Sequence, residues 1–280
     1  MLQRGDRGAD VAALQDALVS RGLLSAEARD SGPGIYGPRT EAAVRAFKAA
    51  RVDGIADDQT LAQLGLVGGP ATPLIDAVVD LSHHNADPDF AAAAAAGIIG
   101  VIYKASQGLT YRDPTYAAAR KAARDAGLLW GAYHFGTGDD GADQAAQFLQ
   151  AAAPDGETLL VLDFEHNPTG SSMMLEQAEA FVTTLITRTG RAPGFYSGND
   201  IKEQLGNTRN ALLGQCWFWL AQYGPRPVVP PNWDTWTFWQ YTDGHLGQDP
   251  QPVAGIGPCD RDRFNGDADA LRTFWQIHSV

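Results

Sequence analysis

Apolar positions follow two different periods along this chain. Over residues 1–66 they recur at helical spacing. Val11, Leu14 and Leu18, with Ala12, Ala13 and Ala17, line one face of a helix. Two later stretches, "GIYGPRTEAAVRAF" (34–47) and "GIADDQTLAQLGL" (54–66), share a plan: Gly-Ile, a short turn, then Thr opening an amphipathic run. Thr40 and Thr60 are the expected N-caps, and Glu41, Asp57 and Asp58 suit a helix start. Residues 1–66 therefore read as a small three-helix, all-α domain. The Gly- and Pro-rich stretch "GLVGGPATPL" places a linker at 67–75.

From residue 76 the pattern changes to short apolar runs separated by helical ones. "IDAVVDLS", "GVIYKAS", "LLWGAYHF", "TLLVLDFE", "PGFYS", "WFWLAQY" and "TFWQYT" are the expected strands. "DPDFAAAAAAG", "DPTYAAARKAARDAG", "DGADQAAQFLQAAAP" and "SMMLEQAEAFVTTLITRTG" are helices punctuated by Asp or Ser at the start and Gly or Pro at the end. Such alternation implies βαβ units and a parallel sheet. At this length a single barrel-like α/β domain over 76–280 is the natural closure. From Gln215 onward strands follow one another with little helix between.

Composition narrows the field of functions. The 280 residues are 44% hydrophobic and 19% charged, with no apolar run near the ~20 residues of a membrane helix. The first 15 residues lack the regions of a signal peptide, so synthesis in the cytoplasm followed by release or specialised export is expected. Net charge is −12, and residues 71–280 hold 13 Lys/Arg against 24 Asp/Glu. That excess argues against a nucleic-acid backbone as partner. Cys216 and Cys259 make no disulfide framework, and two buried free thiols are the simpler reading.

The chemistry sits where polar residues end apolar runs, because barrel strands present working groups at their carboxyl ends. The first strand ends with Asp80, the third with Tyr133 and His134, the fourth with Asp163 and Glu165, the fifth with Tyr196. The final stretch adds Trp219, Trp239, Asp260 and Asp262. In "LLVLDFEHN", Asp163 and Glu165 stand two apart, so both side chains point the same way. Clustered carboxyls in a partly apolar site raise one another's pKa, which makes one a general acid while a neighbour stays ionised. Carboxylates ringed by aromatic faces are the chemistry of a carbohydrate cleft. His83 and His84 are adjacent on a strand and face opposite ways, so they read as structural and no metal or cofactor is expected.

Two resemblances add to this. Leu2, Gly5, Gly8, Val11, Leu14, Gln15, Gly34, Tyr36, Gly37, Thr40, Ala43, Val44 and Phe47 match the pattern of peptidoglycan-binding domain 1, with Lys48, Asp57 and Asp58 as departures. Residues 76–275 resemble glycoside hydrolase family 25, the Chalaropsis-type lysozymes. "VVDLSHHN", "GVIYKASQGLTYRDPTY", "LLVLDFEHN", "PGFYSG", "WLAQYG", "WTFWQYTDG" and "CDRDRFNG" occur in family order. The resemblance implies an irregular TIM-like (β/α)5β3 barrel with antiparallel closing strands. It also implies hydrolysis of the β-1,4 bond between N-acetylmuramic acid and N-acetylglucosamine.

Carried over residue by residue, Glu165 is the acid/base and Asp163 holds the substrate acetamide for an assisted, retaining reaction. Asp80 and Asp260 are the other site acids, and Asp260 is favoured over Asp262 for that place. Tyr133, His134, Tyr196, Trp219, Trp239 and Asp262 are the candidate substrate contacts. The implied partner is bacterial peptidoglycan, met as a monomer with no nucleic acid and no membrane insertion. A phage endolysin released through holin pores fits this set. An exported antibacterial muramidase, a chitinase-like glycosidase and a non-catalytic wall-binding protein are the alternatives.

Overall fold

A computed structural model describes residues 2–48, 74–85, 87–224, 226–248 and 252–280. The second repeat copy with Thr60, Asp57 and Asp58, and nearly all of the expected linker, lie outside those residues. The chain divides into two compact units, Met1–Thr72 and Pro73–Val280.

In the first unit, helices α1 (Ala9–Ser20), α2 (Ala26–Asp30) and α3 (Pro38–Lys48) enclose a core of Val11, Leu14, Leu18, Leu24, Tyr36 and Val44. α3 begins at Pro38, whose fixed φ suits a first turn, so Thr40 lies inside the helix and does not cap it. Thr40 is buried and accepts a hydrogen bond from Gln15 Nε2 at 3.2 Å. The same amide donates to the carbonyls of Gly32 and Ile35, both at 3.0 Å, while its oxygen accepts from the Gly34 N–H at 2.8 Å. One buried glutamine thus ties α1 to the turn before α3 with every polar group satisfied.

The second unit is a closed barrel. Its strands in chain order are β1 (Ile75–Leu81), β2 (Gly100–Gln107), β3 (Tyr111–Arg112), β4 (Leu129–Phe135), β5 (Thr158–Asp163), β6 (Gly194–Ser197), β7 (Trp217–Ala221), β8 (Phe238–Thr242), β9 (Pro252–Val253), β10 (Gly257–Pro258) and β11 (Asp260–Phe264). The order β1-β11-β8-β7-β6-β5-β4-β2 closes through a β1–β2 pairing, giving eight barrel strands, with β3 appended to β2. Helices α4 (Phe90–Ala95), α5 (Tyr116–Asp125), α6 (Gly141–Ala152), α7 (Leu175–Thr189) and α8 (Asn199–Leu205) each follow one of the first five barrel strands. This is the (β/α)5β3 plan. Asp89 and Asp140 cap α4 and α6 through bonds to the Ala92 and Asp143 N–H groups. Of the last three barrel strands only β11 is antiparallel to its neighbours; β7 and β8 stay parallel.

Strand alternation sorts the barrel into two layers. Inward side chains such as Val78, Ile102, Leu159, Val161, Phe238 and Phe264 fill the interior. Outward ones such as Val79, Leu160, Phe195 and Phe218 pack with Phe148, Phe181 and Ile201 of the helical shell. The last helix, α9 (Ala268–His278), closes the end where strands begin: its Trp275 Nε1 donates to the Trp130 carbonyl at 3.0 Å. Gly100 makes room for that ring, since a Cβ there would lie 2.8 Å from it. The mouth at the carboxyl ends is left for polar residues.

α6 meets α7 at equally close range. A Cβ on Gly141 would sit 1.9 Å from the Gln177 backbone carbonyl, which cannot swing aside. Gly141→Ala is expected to destabilise the barrel by about 1–3 kcal/mol or more, read as a lowered urea midpoint with unchanged slope; an unaltered midpoint would contradict the packing.

Candidate active site

At the mouth, Asp80 of β1, Tyr133 of β4, Asp163 of β5, Tyr196 of β6, Trp219 of β7, Gln240 of β8 and Asp260 of β11 line one cavity of about 230 Å³. Glu165, two residues past the end of β5, and Tyr223, just past β7, complete it. Asp163 and Glu165 therefore reach the same cavity. So do the two other expected acids, Asp80 and Asp260, because the β1–β11 register sets them side by side.

These acids are poorly solvated and close to one another. Burial raises the Asp80 and Asp163 carboxyls well above the usual range, with Asp262 adding to the first and Glu165 to the second. Burial and the Asp200 charge raise Glu165, and burial with Asp80 pushes Asp260 up to about 9. The phenols of Tyr133 and Tyr196 are likewise held protonated by burial and the surrounding acids. Tyr196 donates to Gln240 Oε1 at 2.9 Å, and Gln240 Nε2 donates to Asp80 Oδ2 at 2.9 Å. Tyr223, a residue 42% exposed, donates to the same Gln240 oxygen at 3.3 Å.

The countercharge is Lys104, inward on β2 and close enough to Asp163 and Glu165 to favour their ionised forms. Its ammonium donates to Gln107 Oε1 at 2.8 Å and sits 4.9 Å from the Phe135 ring centre, and burial lowers its pKa. Asp163 Oδ1 is buried with no hydrogen-bond partner among the described residues.

Three expected substrate contacts are corrected. Trp239 faces away from the cavity: its Nε1 donates to the Gln222 carbonyl at 2.7 Å and its ring meets Trp236 edge-on. His134 is fully buried in the outer layer between Phe148 and Phe181. Its Nδ1 contacts Ser106 Oγ at 2.8 Å and its Nε2 contacts Gln144 Oε1 at 3.1 Å, while burial lowers its pKa to about 4. Both residues neighbour an inward one, Gln240 and Tyr133, so alternation turns them outward. Asp262 points inward but has no exposure at all, and accepts from Trp219 Nε1 at 2.6 Å.

Sequence reasoning passed over Lys104, Gln240 and Tyr223. Parity carried the signal for Gln240: it lies two residues from Phe238, which is inward. Lys104 stands in the same relation to Ile102. His83 has a structural post, with both its backbone N–H and its Nδ1 on Asp113 Oδ2, at 3.0 and 2.9 Å. Cys216 and Cys259 are buried and unbonded, and burial pushes both thiols up to about 12.

Residues 79–248 match the family model described as glycosyl hydrolases family 25, and residues 7–64 match that of a putative peptidoglycan binding domain. Lysozyme M1 of Streptomyces globisporus is 32% identical over 219 residues, covering 72% of each chain. The N,O-diacetylmuramidase of Chalaropsis sp is 29% identical over 184 residues, covering 59% of this chain and 87% of the relative. The crystal structure of the bacterial lysozyme from Streptomyces coelicolor superposes with a TM-score of 0.64 at 31% identity. It covers 72% of this chain and 97% of that one.

The clustered acids have a cost in stability, with a definite sign. Asp260 titrates at about 9 in the folded chain against 3.8 as the unperturbed value. The folded state thus binds the extra proton more tightly between those pH values, and stability falls as pH rises through that window. Asp260→Asn is expected to raise Tm by several degrees at pH 8 and to leave it nearly unchanged at pH 3.5. A variant less stable than wild type at pH 8 would contradict the assignment.

Proposed function

The chain belongs to glycosyl hydrolases family 25, and from that premise we propose that Glu165 and Asp163 cleave the β-1,4 bond between N-acetylmuramic acid and N-acetylglucosamine. At the coarser level the protein is a lysozyme-type glycoside hydrolase of peptidoglycan, with an N-terminal peptidoglycan-binding domain. The observation that carries the finer reading is the single cavity at the strand ends that takes in Asp163, Glu165, Asp80 and Asp260.

Asp163 and Glu165 form an interacting pair in which burial and the Glu165 charge raise the first and burial and the Asp200 charge raise the second, so both resist ionisation. Lys104 favours the charge. In the first step Glu165 gives its proton to the glycosidic oxygen as the bond to the anomeric carbon breaks. The carbonyl oxygen of the substrate's own acetamide attacks that carbon from the opposite side, forming an oxazolinium-like ring. Asp163 takes the acetamide N–H, for which its unpartnered Oδ1 is the acceptor the mechanism needs. Glu165, now ionised, removes a proton from water, and the water oxygen opens the ring to give net retention. Tyr196 and Trp219, which meet edge-on at 4.7 Å, supply apolar faces for a sugar ring.

The N-terminal domain holds the enzyme on its insoluble polymer and raises the local substrate concentration. We place the protein, acting as a monomer, as an endolysin made in the cytoplasm and released to the wall through membrane pores. An exported antibacterial muramidase would use the same chemistry. Lysis timed to holin expression would separate the two.

Digestion of purified peptidoglycan followed by borohydride reduction and mass spectrometry tests the chemistry. Reduced muramic acid ends are expected from wild type, and Glu165→Gln should lower their rate of release by about 10²-fold or more. Reduced glucosamine ends would assign the other glycosidic bond and overturn the reading. In the Glu165→Gln background, removing residues 1–72 is expected to reduce co-sedimentation with whole peptidoglycan at least several-fold. Equal pelleting of both forms would mean that the first unit does not anchor the enzyme.

A further inference from the structure

Asp262 is a charged residue that the mechanism above does not use. It sits on the inner face of the barrel beneath the cavity, without solvent exposure. In the β1–β11 register Asp80 pairs with Asp260 and Val78 with Asp262, so Asp80 and Asp262 are diagonal neighbours on one face. Burial raises both carboxyls well above the usual range, and each is near enough to act on the other's ionisation. Trp219 Nε1 donates to Asp262 Oδ1 at 2.6 Å, and Asp262 Oδ2 is buried with no hydrogen-bond partner among the described residues. On the other side Gln240 Nε2 donates to Asp80 Oδ2.

Two carboxyl groups on diagonal neighbours in a dry interior resist being ionised together when no cation lies between them. Among the described residues, the groups facing this pair include no countercharge. From β11 comes Asp260, from β5 and its end Asp163 and Glu165, and from β4 and β6 the neutral phenols of Tyr133 and Tyr196. β7 presents the indole of Trp219 and β8 the amide of Gln240, with the Tyr223 phenol beyond. Asp76 adds a further negative charge from the outer side of β1, where Arg261 pairs with it at 2.9 Å. Lys104 lies toward Asp163 and Glu165.

We infer that Asp80 and Asp262 share one proton, carried on Asp80 and donated to Asp262 Oδ2, and that Asp262 is a positioning residue for Asp80. Trp219 has only an N–H to offer and so favours the ionised form of Asp262. Asp80 then meets the substrate as a neutral group whose proton is already engaged. The one negative charge of the pair is kept under the floor, away from Glu165. This leaves Glu165 as the acid that protonates the leaving group. That last step rests on the reading of Glu165 given above; the shared proton does not.

The test is Asp262→Asn, in which the amide oxygen can keep the Trp219 bond while the amide nitrogen donates to Asp80. Asp80 then ionises, and the charge moves from below the floor into the cavity wall. In infrared difference spectra at neutral pH the variant is expected to lose one protonated-carboxyl band and no net carboxylate band. In Asp80→Asn/Asp262→Asn the shared proton predicts the loss of one protonated-carboxyl band and one carboxylate band; loss of two carboxylate bands, or of two protonated bands, would overturn it. This measurement needs no substrate and so stands apart from the assigned activity. In kcat/KM profiles on peptidoglycan fragments, the nearer charge should raise the pKa of Glu165, moving the alkaline limb up by about one unit. A uniform fall in rate with an unmoved limb would reduce Asp262 to a purely structural role and overturn its positioning one.

Discussion

The pairing of β11 antiparallel to both β1 and β8 is the contact on which this molecule depends. It closes the barrel, and closure removes the sheet edges and makes the interior dry. The same strand brings two acids, Asp260 and Asp262, to the inner face and puts its arginines outside. There Arg261 pairs with Asp76, and the Arg263 guanidinium lies 4.1 Å from the centre of the Tyr241 ring. Without that strand Asp80 would face solvent and carry an ordinary carboxyl pKa. With it, Asp80 is drawn into a cluster whose members raise one another.

The site is consequently a region of stored electrostatic cost. The large apolar shell of helices and the plug of Trp275 below hold the strands in place while the mouth tolerates crowded acids. A hydrolase acting near neutral pH gains from that cost, because a carboxyl that keeps its proton can serve as a general acid. The opening between function and stability is narrow: easing the crowding at Asp260 stabilises the fold and at the same time removes a group from the cleft.

The polar network above the floor distributes the burden. Tyr196 and Tyr223 both donate to one oxygen of Gln240, which fixes the amide so that its nitrogen points at Asp80. Trp219 does the same for Asp262. In the first unit Gln15 plays an equivalent part, with one side-chain amide satisfying a turn that would otherwise bury unpaired carbonyls. Each is a neutral side chain giving direction to a neighbour that carries the strain.

Much of this was legible along the chain. The alternation of apolar runs and helices, and its loss after Gln215, anticipated seven of the barrel strands and four of the helices, while the (β/α)5β3 count came from the family resemblance. The short helix α8 and the closing helix α9 were not anticipated, because "NDIKEQL" is too brief and "ADALRTFWQIH" follows a stretch read as strands. Polar residues at strand ends pointed to Asp80, Asp163, Glu165 and Asp260, since a carboxylate in an apolar run must be accommodated somewhere. Alternation within each strand turns Tyr133 and Gln240 inward and His134 and Trp239 outward, a distinction that residue type, which drew in both His134 and Trp239, does not make. What the linear order could not decide was depth. Asp260 and Asp262 share one strand and one face, and only the register against β1, with Trp219 below, makes one a cavity wall and the other a fully buried acid. Burial is a property of what lies across the barrel, and those neighbours come from strands nearly two hundred residues apart.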